Sequence, residues 1–467
     1  MLNSSSKPLV MLHLGLGSFH RAHQAVYLHE MRAAGGTQWV LASGNIRPDP
    51  SGTLDALRAQ EGRYTLETVT PTQARSYTLI ESITTVVPFD VALSGLVALG
   101  ADPGTRIISF TVTEAGYYLD AGYQIDFNLP DVAADIAAAK AGRPGDTIYG
   151  ALTAILRERR QQGGGPVTLL SCDNLRHNGQ RTRAALLHFI ERMGDTALLA
   201  WVKANTTSPN AMVDRITPRP TPDVAERVKA ATGRDDRAAV MAESFIQWVI
   251  EDNFANGRPA WETVGVEMVQ SVSAHEEAKI RLLNATHSCI AWAGTLAGFQ
   301  YIDEGARNPA VRKMAFDYAT DDAIPLLKPC AIDLEAYRDL VLDRFSNAAL
   351  KDTNQRVAMD AFSKIPAMIA PTIRERLKRG ESIQSVAMLP ALFLAYLQRW
   401  HVGGIPYTYE DQAMDVAAAH ALCDAADPVA AFASDGVLWG DLARDERLID
   451  AFRTALGRVK QLEREWT

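Results

Sequence analysis

Short, largely apolar runs recur through the first half of the chain and then stop. Residues 10–14, 39–43, 106–111 and 167–171 are blocks of this kind, the pattern of strands buried on both faces of a parallel sheet. The first ends in Gly15-Leu-Gly17, is followed by helical periodicity to about residue 34, and leads into the second. Strand, glycine turn, helix and strand in that order open a dinucleotide-binding βαβ unit. Residues 64–69 and 76–83 are rich in β-branched and aromatic side chains and predict a hairpin. Helical periodicity over 147–162 stops at Gly163-Gly-Gly165, as a glycine run should stop it. The last clear strand candidate is 264–272. Beyond it only helical periodicity remains, over 276–297, 308–317, 334–345, 354–361, 370–379, 387–400, 413–425 and 445–463. The pattern therefore predicts an α/β N-terminal Rossmann-type domain over residues 1–272 and a mainly α-helical C-terminal domain over 273–467.

Bulk properties narrow the function. A chain of 467 residues exceeds one simple core, which agrees with two domains. A net charge of −8 argues against a nucleic-acid or anionic-membrane partner, since both call for a basic face. The four cysteines, Cys172, Cys289, Cys330 and Cys423, form no CxxC pair, so neither a disulfide framework nor a structural zinc site is expected. A reducing, cytoplasmic compartment fits them. Met1-Leu-Asn-Ser-Ser-Ser-Lys-Pro shows no signal-peptide pattern, and the apolar stretches near 288–299 and 387–397 are too short to span a membrane.

The glycine turn carries the cofactor expectation. Gly15-Leu-Gly17-Ser-Phe-His20-Arg21 supplies the first two glycines of GxGxxG, with His20 in place of the third. The first two permit the tight turn and the approach of backbone to a pyrophosphate; the third mainly serves helix–strand packing. The alternative is an ordinary glycine turn, and the position directly after the first strand favours cofactor binding. Gly15, Gly17, Ser18, Phe19 and His20 are the expected contacts, with Thr113 after the 106–111 strand. Asp49, beyond the second strand, could take ribose hydroxyls, whereas Arg47 could accept a phosphate; both remain open, and NAD is the expected cofactor. His20 and His23 lack a third ligand of suitable spacing, so no metal is expected.

A second constellation carries the chemistry. Lys279, Asn284 and His287 fall at about 0°, 140° and 80° on a helical wheel of roughly 100° per residue, on one side of the 276–297 helix. Alcohol oxidation needs a base for the hydroxyl proton as hydride leaves carbon. A lysine serves if burial and the charge of an oxidised nicotinamide lower its pKa, and an amide such as that of Asn284 can hold the developing alkoxide. The bland alternative is a solvated lysine, a helix-interior asparagine and a core histidine. Other routes lack their residues: no tyrosine has lysine four positions on, and no Cys/His/Glu cluster could hold a catalytic zinc.

Taken together these motifs resemble the polyol-specific long-chain dehydrogenases, whose familiar member is mannitol 2-dehydrogenase. The resemblance rests on Lys279-x4-Asn284-x2-His287, the glycine turn through His23, Thr111–Tyr117, Ser171-Cys-Asp-Asn174, Asn210–Pro218 and Phe245–Asp252. It implies Lys279 as general acid/base, Asn174 and Asn284 as the oxyanion hole, and His287 as the group that binds and orients the polyol. Asp214 and Arg356 would be further substrate-pocket residues. Glu276 would be a proton gate, or else a surface helix acid. It also implies substrate between the two domains, no metal and a monomer. Stretches such as Cys172–Gly179, Asp352–Ala358 and Phe362–Pro371 make D-arabinitol to D-xylulose the expected reaction. D-mannitol/D-fructose is the runner-up and reduction of fructuronate or tagaturonate the third reading. A nicotinamide-binding regulator that lost the chemistry is the alternative of another class, and retention of Lys279, Asn174, Asn284 and His287 speaks against it.

Overall fold

The computed structural model describes residues 7–120 and 122–466. Of the N-terminal stretch 1–8 in which no signal-peptide pattern is expected, residues 1–6 lie outside the described residues. The chain divides into two compact units, Met1–Val69 with Arg75–Ser273, and Thr70–Ala74 with Ala274–Thr467.

In the first unit a six-stranded sheet runs in the order Ile83–Val86, Trp39–Gly44, Leu9–Leu14, Thr105–Phe110, Val167–Ser171, Thr206–Thr207, every neighbouring pair parallel. The apolar runs have their cause here. Met11, Leu12, Ile107, Ile108, Leu169 and Leu170 are all buried, on whichever face they point. The order reverses between Leu9–Leu14 and Thr105–Phe110. In an open α/β sheet a ligand crevice opens at such a switch point, at the carboxyl ends of the strands.

Two small three-stranded sheets complete the unit. Val240–Glu243 pairs in parallel with Tyr64–Val69, which forms the expected hairpin with Arg75–Ile80. Ala211–Asp214 runs antiparallel to Gln247–Glu251, which pairs in parallel with Glu267–Val269. Of the strand expected over 264–272, only those three residues pair. Ile83–Val86 leaves the hairpin and joins the large sheet.

In the second unit the apolar helix Ala285–Leu296 is buried on nearly every face. It packs against Ile302–Arg307, Pro309–Asp317, Asn354–Ala358 and Met388–His401. A helix apolar all round belongs inside a bundle. The helix expected over 276–297 spans Ser273–Leu296, but its middle, Lys279–Asn284, is a π-helix. Two more π segments, Tyr318–Ala323 and Ile365–Ile369, pack against it. Among the described residues no helix is long and apolar enough to cross a membrane.

Candidate active site

The glycine turn is shaped from both sides. Gly15 has φ 108°, and a Cβ there would lie 2.2 Å from the carbonyl oxygen of Thr111 on the adjacent strand end, so only glycine fits. A Cβ on Gly17 would meet no protein atom within 4 Å. That open space beside the backbone is what a pyrophosphate would occupy, so the residues present fit a dinucleotide. Leu16 N donates to Asn45 Oδ1 at 2.7 Å, tying the turn to the second strand end. The expected helix to residue 34 is interrupted: Ser18–Ala22 and Gln24–Ala33 meet at His23.

A crevice at the switch point is lined by Gly15, Asn45, Arg47, Asp49, Thr111 and Gly116, among others. Asp49 accepts from Ser51 N at 2.9 Å, Ser51 Oγ at 2.5 Å and Leu54 N at 2.8 Å. Burial alone would raise its carboxyl; these bonds outweigh burial and hold it below the usual range. Arg47 lies along the same wall, donating to Asp146 O at 2.9 Å and to Tyr118 Oη at 2.5 Å. Gly17, Ser18, Phe19 and Thr113 are at least partly exposed. The His20 imidazole is fully buried, so its side chain lies beneath the loop and not on the crevice wall.

That imidazole belongs to a network the sequence reading missed. His20 stacks on His13 with ring centroids 3.4 Å apart. His13 Nε2 lies 3.1 Å from Gly15 O, which can only accept, so His13 carries its proton on Nε2 and Nδ1 accepts from Ser109 Oγ at 2.8 Å. Burial pushes the His13 imidazolium down to about 3 and that of His20 well below its usual value. From Ser43 a chain of donors then runs through His20 Nε2 and Nδ1, Gln24, His23 Nδ1 and His23 Nε2 to Gln247 O. The only signal in the sequence was the density of histidines around two glycines.

Asn174 is exposed just beyond the Val167–Ser171 strand, and Asp173 before it is buried. Asp214 is buried at the end of Ala211–Asp214. Arg215 anchors the segment by donating to Glu243 O at 2.8 and 3.0 Å and to Ala22 O at 2.5 Å.

In the second unit, Glu276 and Lys279 are buried and Asn284 and His287 half-buried. The π-helix corrects the wheel drawn from ideal α geometry. Its wider i→i+5 turn narrows the angle between residues five apart, so Lys279 and Asn284 lie closer to one face than an α-helix would set them. Arg281 points elsewhere, bonding Glu375 at 2.7 and 3.1 Å and Glu277 at 3.0 Å. His287 stacks on Phe345 at 4.3 Å, with Nε2 3.2 Å from Asp352 Oδ2. Arg356 grips the same carboxylate at 2.6 and 2.7 Å from an otherwise exposed position. Burial would raise the Asp352 carboxyl, but His287 and Arg356 outweigh it and hold it well below the usual range. Burial lowers the His287 pKa, against the pull of Asp352, so the ring is neutral at neutral pH. Asp352 was not singled out from sequence, although its i,i+4 spacing to Arg356 was a usable sign.

Residues 10–263 match the family model of the mannitol dehydrogenase Rossmann domain, and residues 271–460 that of the mannitol dehydrogenase C-terminal domain. The chain belongs to the mannitol dehydrogenase family. Within it, the chain is 58% identical to D-arabinitol 4-dehydrogenase of Ralstonia nicotianae over 98% of both chains. It is 51% identical to D-arabinitol 4-dehydrogenase of Klebsiella pneumoniae, over 97% of this chain and 98% of that one. Among solved structures it resembles Pseudomonas fluorescens mannitol 2-dehydrogenase, determined as a ternary complex with NAD and D-mannitol. That match has a TM-score of 0.82 and 32% identity, over 99% of this chain and 94% of that one.

Proposed function

We propose that this chain is an NAD-dependent dehydrogenase that converts D-arabinitol to D-xylulose, reversibly. The observation that carries the substrate is the likeness to the Ralstonia enzyme along 98% of both chains. NAD, when bound, supplies the hydride acceptor. Gly15 and Gly17 let the backbone approach its pyrophosphate, Ser18, Phe19, the His20 backbone and Thr113 flank it, and Asp49 takes ribose hydroxyls in the crevice at the switch point.

Lys279 accepts the hydroxyl proton in oxidation and returns it in reduction. Asn284 and Asn174 donate to the oxygen as negative charge develops on it. A neutral His287 with its proton on Nε2, facing Asp352, presents Nδ1 as an acceptor that orients a substrate hydroxyl. Asp214 and Arg356 contribute to polyol recognition, and Glu276, one turn before Lys279, passes the proton to solvent. We read the protein as a cytoplasmic monomer with no nucleic-acid partner and no metal requirement; the net charge of −8 supports the absence of a nucleic-acid partner and the four free cysteines a reducing compartment.

The test is a comparison of kcat/KM for D-arabinitol, D-mannitol, xylitol and D-sorbitol, each with NAD and NADP. D-Arabinitol with NAD should be fastest; a preference for D-mannitol would sink the substrate assignment. Replacing Lys279 with Ala should lower kcat by about 10²–10⁴ while NADH still binds, and retained turnover would remove lysine as the base.

A further inference from the structure

Thr113 is an exposed, β-branched residue held at φ 64° and ψ 164°. That region is one that essentially only glycine enters freely, and a non-glycine residue stays there only when its surroundings over-determine it. The surroundings are one carboxylate. Asp173 Oδ1 accepts from Thr113 N at 3.0 Å, and Oδ2 accepts from Val112 N at 2.8 Å and Tyr117 Oη at 2.6 Å. Ser171 Oγ, 2.5 Å from the Tyr117 hydroxyl oxygen, donates to it in turn, since the phenol proton is spent on Asp173. Tyr149 Oη donates to Tyr117 O at 2.8 Å. Asp173 therefore sits under a loop whose neighbouring residues Thr111, Val112, Gly116 and Tyr118 line the crevice at the switch point. Asn178 Nδ2 donates to the Asp173 carbonyl at 3.1 Å, fixing the backbone that leads into Asn174.

We propose that Asp173 is a positioning residue whose carboxylate holds the strained Thr113 loop in the shape that receives the dinucleotide. The inference rests on the reading of the crevice as the NAD site. A carboxylate suits this task because it only accepts, on two oxygens, and all three of its partners only donate here. An asparagine would turn an amide N–H toward at least one donor. The loop would then relax from the conformation that Thr113 disfavours.

The same physics gives the test, since glycine at position 113 needs no clamp. NADH affinity is measured by fluorescence titration in wild type, Asp173→Asn, Thr113→Gly and the double variant. Asp173→Asn should weaken NADH binding about tenfold or more in the wild-type background, the scale of a lost charged hydrogen bond. In the Thr113→Gly background the same change should cost less than about threefold, because the strain it releases is gone. An equal loss in both backgrounds, or no loss in either, overturns the proposal. If Asp173→Asn does not fold, Tyr117→Phe replaces it as a milder removal of one donor, with the same pattern expected. Failure of the wild type to bind NADH would instead defeat the cofactor reading, so the two failures are distinct.

Discussion

A methyl group at position 15 would press to 2.2 Å from the Thr111 carbonyl oxygen while the backbone held φ at 108°. Gly15→Ala should therefore cost on the order of 2–5 kcal/mol from strain and overpacking together, read by urea unfolding, and should abolish NADH binding. Beneath that turn, His13 makes stability depend on pH. Its folded pKa is depressed from 6.5 to about 3 by burial, so the unfolded chain takes up the proton first. The associated stability is complete above pH 6.5 and drains as pH falls toward 3. At pH 5 the loss is about 2 kcal/mol. The fall in melting temperature between pH 7 and pH 5 should be smaller in His13→Gln than in wild type, and an equal fall would remove His13 as its source. The residue scale was only partly legible in sequence. Gly15 announced itself because backbone geometry permits nothing else. Asp173 and Arg215 did not, because their work is defined by partners far away in the chain.

The Lys279–Asn284 π-helix is the element on which the catalytic proposal turns, and a wide turn of this kind needs support. Arg281 gives it by forking onto Glu375, distant in sequence, in the helix Ala370–Lys378. Arg281→Lys keeps the charge but loses the fork. It should cost about 1–2 kcal/mol of stability, discounted because Glu375 is partly exposed. It should also lower kcat with the NADH dissociation constant unchanged, and a change confined to NADH binding would contradict this placement. Periodicity could not reveal the π-turn, since one extra residue leaves the apolar pattern on either side intact. It did locate Leu334–Phe345, where Asp333 caps the first turn. It ran 354–361 together as one helix, whereas Asp360, at φ 57°, breaks it. Ala211–Asp214 and Val240–Glu243 went unseen because four residues carry too little alternation, and their pairing partners are distant.

For the whole molecule, a ligand that binds only the folded state stabilises it by mass action. NADH at about 100 times its dissociation constant should add about 2.7 kcal/mol, read as a rise in melting temperature, while EDTA should leave both melting and turnover unchanged. Inhibition by EDTA reversed by zinc would overturn the metal-free reading. The two-part architecture was legible from where strand patterning ends, and the parallel sheet from its largely apolar runs. The donor chain from Ser43 to Gln247 shows a different property of the same molecule. It ends on a carbonyl oxygen, which has no proton to give, so every hydrogen along it must point the same way. The row has an arrow with no reversed counterpart of equal energy. With one proton on each imidazole, this row has a single consistent arrangement, and one acceptor sets the sense of all the rest.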